Sequence, residues 1–581
     1  YEAAAALRAG GVPSPTRSYG PPRAFEPPAG EPGAPVTLPQ VRRHDLAGAS
    51  GIVRVKPARG ETLLDGSAEG LASLASLGGV GPGRATLYAA DLQPAAIRRA
   101  ASRGAELVVT DSNRRRSYLS SRARQSFGRV QAAAESLSRD AARLDPFGDG
   151  PDAQTVVEYE GVRALRSPAS PNFPSFPEHR PFAALDGDPG TWWTADRNLD
   201  EERHWLEVEF EEPRDVPYVV LLPQRESESE VTEVEIAGRR FAVRPGRQVM
   251  NLGLRNARGL RLAITKVRGP AARENGPGAI AELSIPGVSA RERLRTPRRL
   301  ESALAGAGLE RSSLSYVFTR QTGDEPFRRV PRLDPQRGSV PRDKSQEAPL
   351  VAEPGDPERG FRRRITPPAA RLYAADGWVT VDPAAPDHVL DRLAGEDATG
   401  RLDSSGRLLG LPRHRASRAF DGDPRSAWRA DARRGQAPWI SWRSREPATV
   451  GRIELDLAPG APVPRAARLS ADGRPSPLLP VSAEGVVRLE APLRGQSFRL
   501  ELRPGPPQRG ASAAIAELRA PGAPEHEALV NGRLPGRCEI EVRAAGRRLR
   551  MRPTGSRADF EAGLPQRAHP CGGTVLLPAG E

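Results

Sequence analysis

Residues 181–193 read PFAALDGDPGTWW, and residues 417–428 read SRAFDGDPRSAW. A second shared stretch follows each of them: IAELSIPG begins at Ile280 and IAELRAPG begins at Ile515. The interval from the first Asp (Asp186 or Asp421) to that Ile is 94 residues in both copies. Two matched anchors at one interval mark a duplicated domain. Between the anchors of the first copy lie short runs of period-two alternation: WLEVEF (205–210), YVVLL (218–222), EVEIA (233–237), FAVRP (241–245) and LRLAITKV (260–267), with AIAELSI (279–285) last. The second copy carries WISWRS (439–444), GRIELDLA (451–458), AARLSA (466–471), VVRLEA (486–491), SFRLELRP (497–504) and AAIAELRA (513–520). Turn residues separate the runs, so each copy is predicted to be a β-sandwich of jelly-roll type.

The rest of the chain sets bounds on this reading. At 581 residues it is several domains, because single cores stop growing at roughly 250–300 residues. The apolar fraction of 38% suffices for packed cores, and 60 Pro with 58 Gly imply many turns and linkers. The net charge of +14 is nearly all arginine, with Lys only at 56, 266 and 344. A GC-rich genome produces that bias. Arg alternates with Glu and Asp along the strands, which describes a solvated surface and excludes a nucleic-acid partner, for which basic residues cluster on one face. Cys538 and Cys571 form one disulfide if the protein is exported, closing a loop of about 30 residues worth ~3 kcal/mol. Otherwise they are two free buried thiols. No paired Cys/His spacing is present, which excludes a zinc site. No apolar run reaches the roughly 18–20 residues of a membrane helix. The chain opens at YEAAAALRAGG, without Met or a signal-peptide pattern. It reads as a soluble piece of something larger or as a mature exported protein.

The expected organisation is multidomain and mainly β. Residues 1–50 are a connector with extended residues at 34–38. Residues 51–150 alternate strand and helix: IVRVKP (52–57), AEGLASLASLG (68–78), ATLYAAD (85–91), QPAAIRRAASRG (93–104) and AELVVTDS (105–112). That pattern predicts a small α/β domain with a parallel sheet, with Ser67 as a helix N-cap. GGVGPG (78–83) follows a helix and precedes a strand, the reverse of a phosphate-binding loop. TDSNRRR (110–116) falls at a strand's C-terminal end, where α/β sheets place sites. A helix cap with a solvated Arg run explains it equally well. Residues 151–288 hold the first sandwich and 386–524 the second. Residues 289–385 are β-rich around a mobile Pro- and charge-rich loop at 322–358. Residues 525–581 are a C-terminal β segment that completes an additional sandwich with 289–385.

The repeated turn carries more oxygen than a turn requires. Gly permits φ > 0 and Pro fixes its own φ, which accounts for the DGDP bend. It does not account for two acids, a hydroxyl at Thr191 or Ser426, and a later Glu at 282 or 517. Ca²⁺ takes six to eight such oxygens. The simpler alternative is an Asx-turn, in which Asp caps backbone N–H groups and Glu is merely solvated. Six of the seven Trp lie in the repeats. The shared pairs Trp193/Trp428 and Trp205/Trp439 read as core. Trp192 stands opposite Ala427, and an aromatic present in one copy only is the better ligand candidate.

At these residues the chain resembles the discoidin, or coagulation factor 5/8 C-terminal, family, which overlaps the family 32 carbohydrate-binding modules. The A-x-DGDP-x-T-x-W start, the P-x-x-V strand (447–450) and the I-A-E-L end carry the likeness. The resemblance implies galactose-binding-like sandwiches with one structural Ca²⁺ per repeat. Its ligands would be the side chains of Asp186, Thr191 and Glu282 with the carbonyls of Ala183, Asp188 and Ala281. In the second copy they would be the side chains of Asp421, Ser426 and Glu517 with the carbonyls of Arg418, Asp423 and Ala516. A wider resemblance covers most of the chain. The order VVTDSNRRR, EHRPFAALDGDPGTWW, EERHWLEVEF, ERGFRRRITPPAARLYAADG, a second DGDP module and a Cys-bracketed tail is similar to the extracytoplasmic C-terminal part of actinobacterial α-(1→3)-arabinofuranosyltransferases of the GT-C type. It implies a carbohydrate-binding region with no catalytic residue of its own. Its partners would be cell-wall arabinan or arabinogalactan and the remainder of a membrane glycosyltransferase. Trp192 would be the sugar-binding residue and Cys538–Cys571 a disulfide.

Two other classes stay open. Discoidin-type sandwiches also serve cell-surface adhesion and protein interaction. A glycoside hydrolase would need paired carboxylates in a cleft, and none stands out beyond the DGDP turns. The seven His are scattered and suggest no triad.

Overall fold

The computed structural model describes residues 59–81, 83–116, 129–135, 147–148, 150–168, 179–194, 204–224, 230–269, 278–320, 358, 361–382, 385–396, 401–430, 437–503, 513–529 and 531–580, together with four short strands before residue 59. The expected strand at 52–57 lies outside them, as does the expected loop at 322–358 apart from Glu358. The chain divides into two units, Tyr1–Arg59 and Gly60–Glu581. In the first unit, Arg17–Tyr19 pairs antiparallel with Val41–Arg43, and Arg23–Phe25 with Val36–Leu38.

The second unit opens with a parallel sheet of four strands, in the order Leu314–Val317, Glu106–Thr110, Gly60–Asp65, Arg84–Tyr88. Its central strands are buried on both faces, as strands covered by helices must be. Leu63, Leu107 and Val109 pack with Ile97 of the helix Pro94–Ser102 and with Leu300 of the helix Arg299–Leu304. Leu64 and Val108 face the other way, onto Leu74 of the helix Ala68–Ser76. The fourth strand and the helix Arg299–Leu304 come from beyond the first sandwich in sequence, a long-range addition that local pattern does not reveal. Ser67 precedes the first helix but makes no side-chain cap, because its hydroxyl is turned to the Glu69 carboxylate.

The C-terminal ends of these strands are packed solid. A Cβ on Gly66 would lie 2.0 Å from Thr110 Oγ1, and one on Gly70 would lie 2.4 Å from the same atom. Thr110 and Ser112 bond to each other at 2.6 Å, and Ser112 Oγ accepts from the Ser67 N–H. The arginines of TDSNRRR are not solvated. Arg114 reaches Asp111 and Glu358 at 3.2 and 2.8 Å, and Arg363 also holds Asp111, at 2.5 Å. Asp65, fully inside, accepts the Leu300 N–H at 3.0 Å and so fixes the start of the helix Arg299–Leu304.

The first sandwich has the strand order Trp193–Thr194, Ala279–Ser284, Trp205–Pro223, Gln248–Arg268, Glu230–Ile236, Arg239–Ala242, with Ala164–Arg166 added beside Trp205–Pro223. The second repeats it: Trp428–Arg429, Ala514–Arg519, Trp439–Leu457, Val486–Arg503, Ala466–Ala471, Arg474–Pro475. Runs that read as separate strands are joined here. Trp205–Pro223 is continuous, and its register against Gln248–Arg268 shifts between Glu209 and Arg214, between Arg214 and Val216, and between Val216 and Tyr218. Pro213 and Pro217, which have no N–H to give a ladder, fall in those interruptions. Such irregularities bend a strand. Residues on both sides of the bend (Leu206, Val208, Val219, Leu221) share one core with Trp193, so the sheet folds over itself. Trp428 and Trp442 do the same work in the second core.

Trp205 and Trp439 are half-buried on the outer face, contrary to the core reading. Each carries an arginine over its ring, Arg261 at 4.2 Å and Arg499 at 4.1 Å. The phase of the strands is the reason: in WLEVEF, Trp205 alternates with Glu207 and Glu209, while Leu206 and Val208 point inward.

Strands from 361–382 and from the C-terminal segment pair with each other. Gly377–Val379 joins Gln566–Pro570, Arg547–Pro553 and Ile540–Ala544, and Arg371–Tyr373 joins Val575–Leu577. Cys538 and Cys571 form a disulfide beside this sheet.

Trp193→Ala is expected to cost about 3–5 kcal/mol in equilibrium urea unfolding, the range for deleting a large buried ring. Trp205→Ala is expected to cost under about 1 kcal/mol; equal costs would contradict the assigned faces. Burial pushes the Asp65 carboxyl up from 3.8 to about 7. The folded state then binds this proton more tightly than the unfolded state. Stability is therefore fully present at low pH and falls as pH rises from about 4 to about 7. Asp65→Asn keeps an acceptor for Leu300 and should remove from that interval a slope amounting to a few kcal/mol, roughly. An unchanged pH profile would rule this out.

Candidate functional site

The DGDP turn is placed against the last strand of its own sandwich. Trp193 pairs with Ile280 in the first copy and Trp428 pairs with Ile515 in the second. Glu282 and Glu517 sit two residues further along that strand, beside the turn. Gly187 and Gly422 take positive φ, +79° and +68°, where a side chain would be strained. In both copies the first Asp accepts the N–H of the second, Asp188 to Asp186 at 2.9 Å and Asp423 to Asp421 at 3.1 Å. The Asx-turn is therefore present.

It does not exhaust the oxygens. Thr191 Oγ1 lies 2.9 and 2.8 Å from the two Asp186 oxygens, 2.8 Å from the Asp188 carbonyl and 3.3 Å from that of Ala183. One hydroxyl proton can be given to only one of them. Ser426 Oγ repeats the arrangement, at 2.7 and 2.8 Å from Asp421, 3.1 Å from the Asp423 carbonyl and 3.2 Å from that of Arg418. Glu282 is 5% exposed, and its Oε2 is buried without a hydrogen-bond partner. Burial, then the neighbouring Asp186, push its carboxyl up to about 7. An acceptor-rich pocket with an orphaned carboxylate oxygen fits a hard divalent cation. Asp186, Thr191 and Glu282 would hold it with the carbonyls of Ala183, Asp188 and Ala281, the last buried on the same strand.

The second copy departs from this. Glu517 is partly exposed; its Oε2 accepts the Gly422 N–H at 2.9 Å, as the Glu282 carboxylate accepts that of Gly187. Arg418 stands where the first copy has Ala183, and its Nη1 lies 3.4 Å from Asp421 Oδ2. Ala516 is buried in the same place as Ala281.

Trp192 is half-buried and stacks on His179, with ring centroids 4.4 Å apart and 23° between planes. His179 Nδ1 lies 3.2 Å from the Trp192 carbonyl oxygen. Ala427, the counterpart, is buried in a cluster of small residues with Ala458, Ala514 and Ala516, which leaves no aromatic surface.

The sequence reading missed a duplicated pair. His179-Arg180 and His414-Arg415 each begin seven residues before the first Asp of the turn. Arg415 is a buried anchor and Arg180 a partly buried one. Arg180 Nε donates to both oxygens of Glu292, on the neighbouring strand Arg291–Arg295, at 3.0 and 2.8 Å. Arg415, wholly buried, pairs with Asp391 at 2.6 Å, with Glu561 at 2.7 Å and with Glu396. Their equal offset from Asp186 and Asp421 is the signal the sequence carries, and it shows only when each histidine is placed within its own repeat.

No family model matches the chain, and no curated protein matches it. Among solved structures, the single-particle cryo-EM structure of arabinofuranosyltransferase AftD from Mycobacteria aligns with 98% of this chain and 45% of its own, at 19% identity and a TM-score of 0.58. A mutant of that transferase aligns with 98% of this chain and 46% of its own, at 19% identity and a TM-score of 0.57. The family 32 carbohydrate-binding module of C. perfringens NanJ, solved with galactose, aligns with 21% of this chain and 92% of its own, at 16% identity and a TM-score of 0.18. This chain spans less than half of the transferase, and at 19% identity the likeness is one of fold. It has, over nearly all its length, the fold of that part of an arabinofuranosyltransferase.

Proposed function

We propose that this chain is the carbohydrate-binding region of an arabinofuranosyltransferase, without catalytic residues of its own. It holds cell-wall arabinan beside a membrane-embedded active site that lies outside the chain. The observation that carries the reading is the architecture shared over 98% of the chain with an arabinofuranosyltransferase structure. The sandwiches add support. Trp192 offers part of an indole face beside the turn of the first copy, and aromatic faces stack on the C–H faces of sugars. Two modules on one chain suit a repetitive polymer, since a second contact made by the same strand is intramolecular and raises overall affinity. Ca²⁺ in the first turn supplies charge that joins the first and last segments of the sandwich. It leaves Trp192 placed by the rigid strand Trp193–Thr194. The region belongs on the extracytoplasmic side, where arabinan is. Among the described residues no helix is long and apolar enough to cross a membrane.

Calorimetric titration of the chain with arabinan oligosaccharides tests the reading. Saturable binding is expected, weakened about fivefold or more by Trp192→Ala, in line with the loss of one stacking contact. Binding unaffected by that substitution would exclude the Trp192 site. Absence of binding to arabinan and arabinogalactan by the folded chain would overturn the ligand class.

A further inference from the structure

The two turns share their oxygens but not their charges. Around the first, Asp186 and Glu282 form no salt bridge among the described residues, and Glu282 accepts the Gly187 N–H but leaves its Oε2 without a donor. Around the second, Arg418 places a guanidinium against Asp421. Its Nη2 lies 3.0 Å from Glu396 Oε1 and 2.8 Å from Glu561 Oε1. Arg418 is 4% exposed and the Asp421 and Glu396 carboxylates are fully buried. The guanidinium is therefore fixed, and cannot swing into solvent without leaving Glu396 and Glu561 short of a partner. A divalent ion seated by Asp421 would meet this charge across one carboxylate. Asp421 is already served by a cation.

We infer that only the first repeat binds a divalent cation, and that in the second the Arg418 side chain takes the ion's place. Arg418 does there what the ion does in the first copy. It ties the turn to its surroundings, here to Glu396 next to the helix Asp387–Ala394 and to Glu561 of the helix Arg557–Glu561. The second sandwich is locked to its neighbours by a covalently attached charge, and chelation leaves it unaffected. The inference rests on the reading of the first turn as a Ca²⁺ site.

The test is calorimetric titration of the whole chain, stripped with chelator, with CaCl₂, in the parent and in Glu282→Gln and Glu517→Gln. One ion per chain is expected, lost in Glu282→Gln and retained in Glu517→Gln with an affinity within about twofold of the parent. Two ions per chain would overturn the inference while leaving the Ca²⁺ reading of the first turn in place. One ion lost in Glu517→Gln but kept in Glu282→Gln would overturn it as well. No ion at all would overturn the Ca²⁺ reading and the inference with it. Arg418→Ala, if folded, should take up a second ion; should it not fold, the Glu282 and Glu517 variants decide.

Discussion

Each sandwich depends on the pairing of two residues just after the turn, Trp193–Thr194 or Trp428–Arg429, with the strand that ends the domain. That short ladder closes the chain on itself: it brings the first segment of the domain to the last across about 90 intervening residues. Closing so long a loop costs entropy that only buried surface can offset. The offset is visible at the ladder itself, where Trp193 and Trp428 drop wholly into the two cores. The same register sets Glu282 beside Asp186 and Glu517 beside Asp421. The oxygen-rich pocket is thus a consequence of how the sandwich shuts. A cation within it would reinforce the closure that creates it.

Within this common frame the copies have diverged in a consistent direction. The first keeps an open carboxylate pair and adds Trp192 against His179. The second replaces Trp192 by Ala427, packs that spot with alanines, and turns its arginines inward. Arg180 pairs with the partly buried Glu292, whereas Arg415 and Arg418 together engage Asp391, Glu396, Asp421 and Glu561. Buried pairs of this kind are expensive to desolvate, and removing one partner is costlier than the pair is worth. Their value is positional. The second sandwich is held in place by charges and the first is left with a polar, partly exposed end. A division into an anchoring copy and a binding copy is what the polymer-holding function proposed for the region would require of these residues.

Much of this was legible in the sequence because the information is local or repeated. Period-two alternation gave the strands and the equal interval between anchors gave the duplication, while the meeting of Asp186 with Glu282 was implied by the likeness to discoidin domains. Trp205 belongs to the outer face for a reason its own strand contains: it shares that face with Glu207 and Glu209, and this alternation outweighs the preference of Trp for cores. The joined strands were not legible, because Pro213 and Pro217 look like breaks and act as bulges. Leu314–Val317 could be read as a strand but not assigned to the parallel sheet, since its partner Glu106–Thr110 lies some 200 residues earlier. The buried ion cluster was equally hidden. Glu396, Arg415, Arg418 and Glu561 are ordinary charged residues at separated positions, and only packing shows that both carboxylates are shared by the two guanidinium groups.

Hydrogen–deuterium exchange across the whole chain, with and without Ca²⁺ and an arabinan oligosaccharide, tests the division between the copies most directly. Backbone protection is expected to rise at the first closure, residues 186–194 and 279–284, and to stay constant at the second, residues 421–429 and 514–519. Equal protection of both closures, or protection of the second alone, would contradict it.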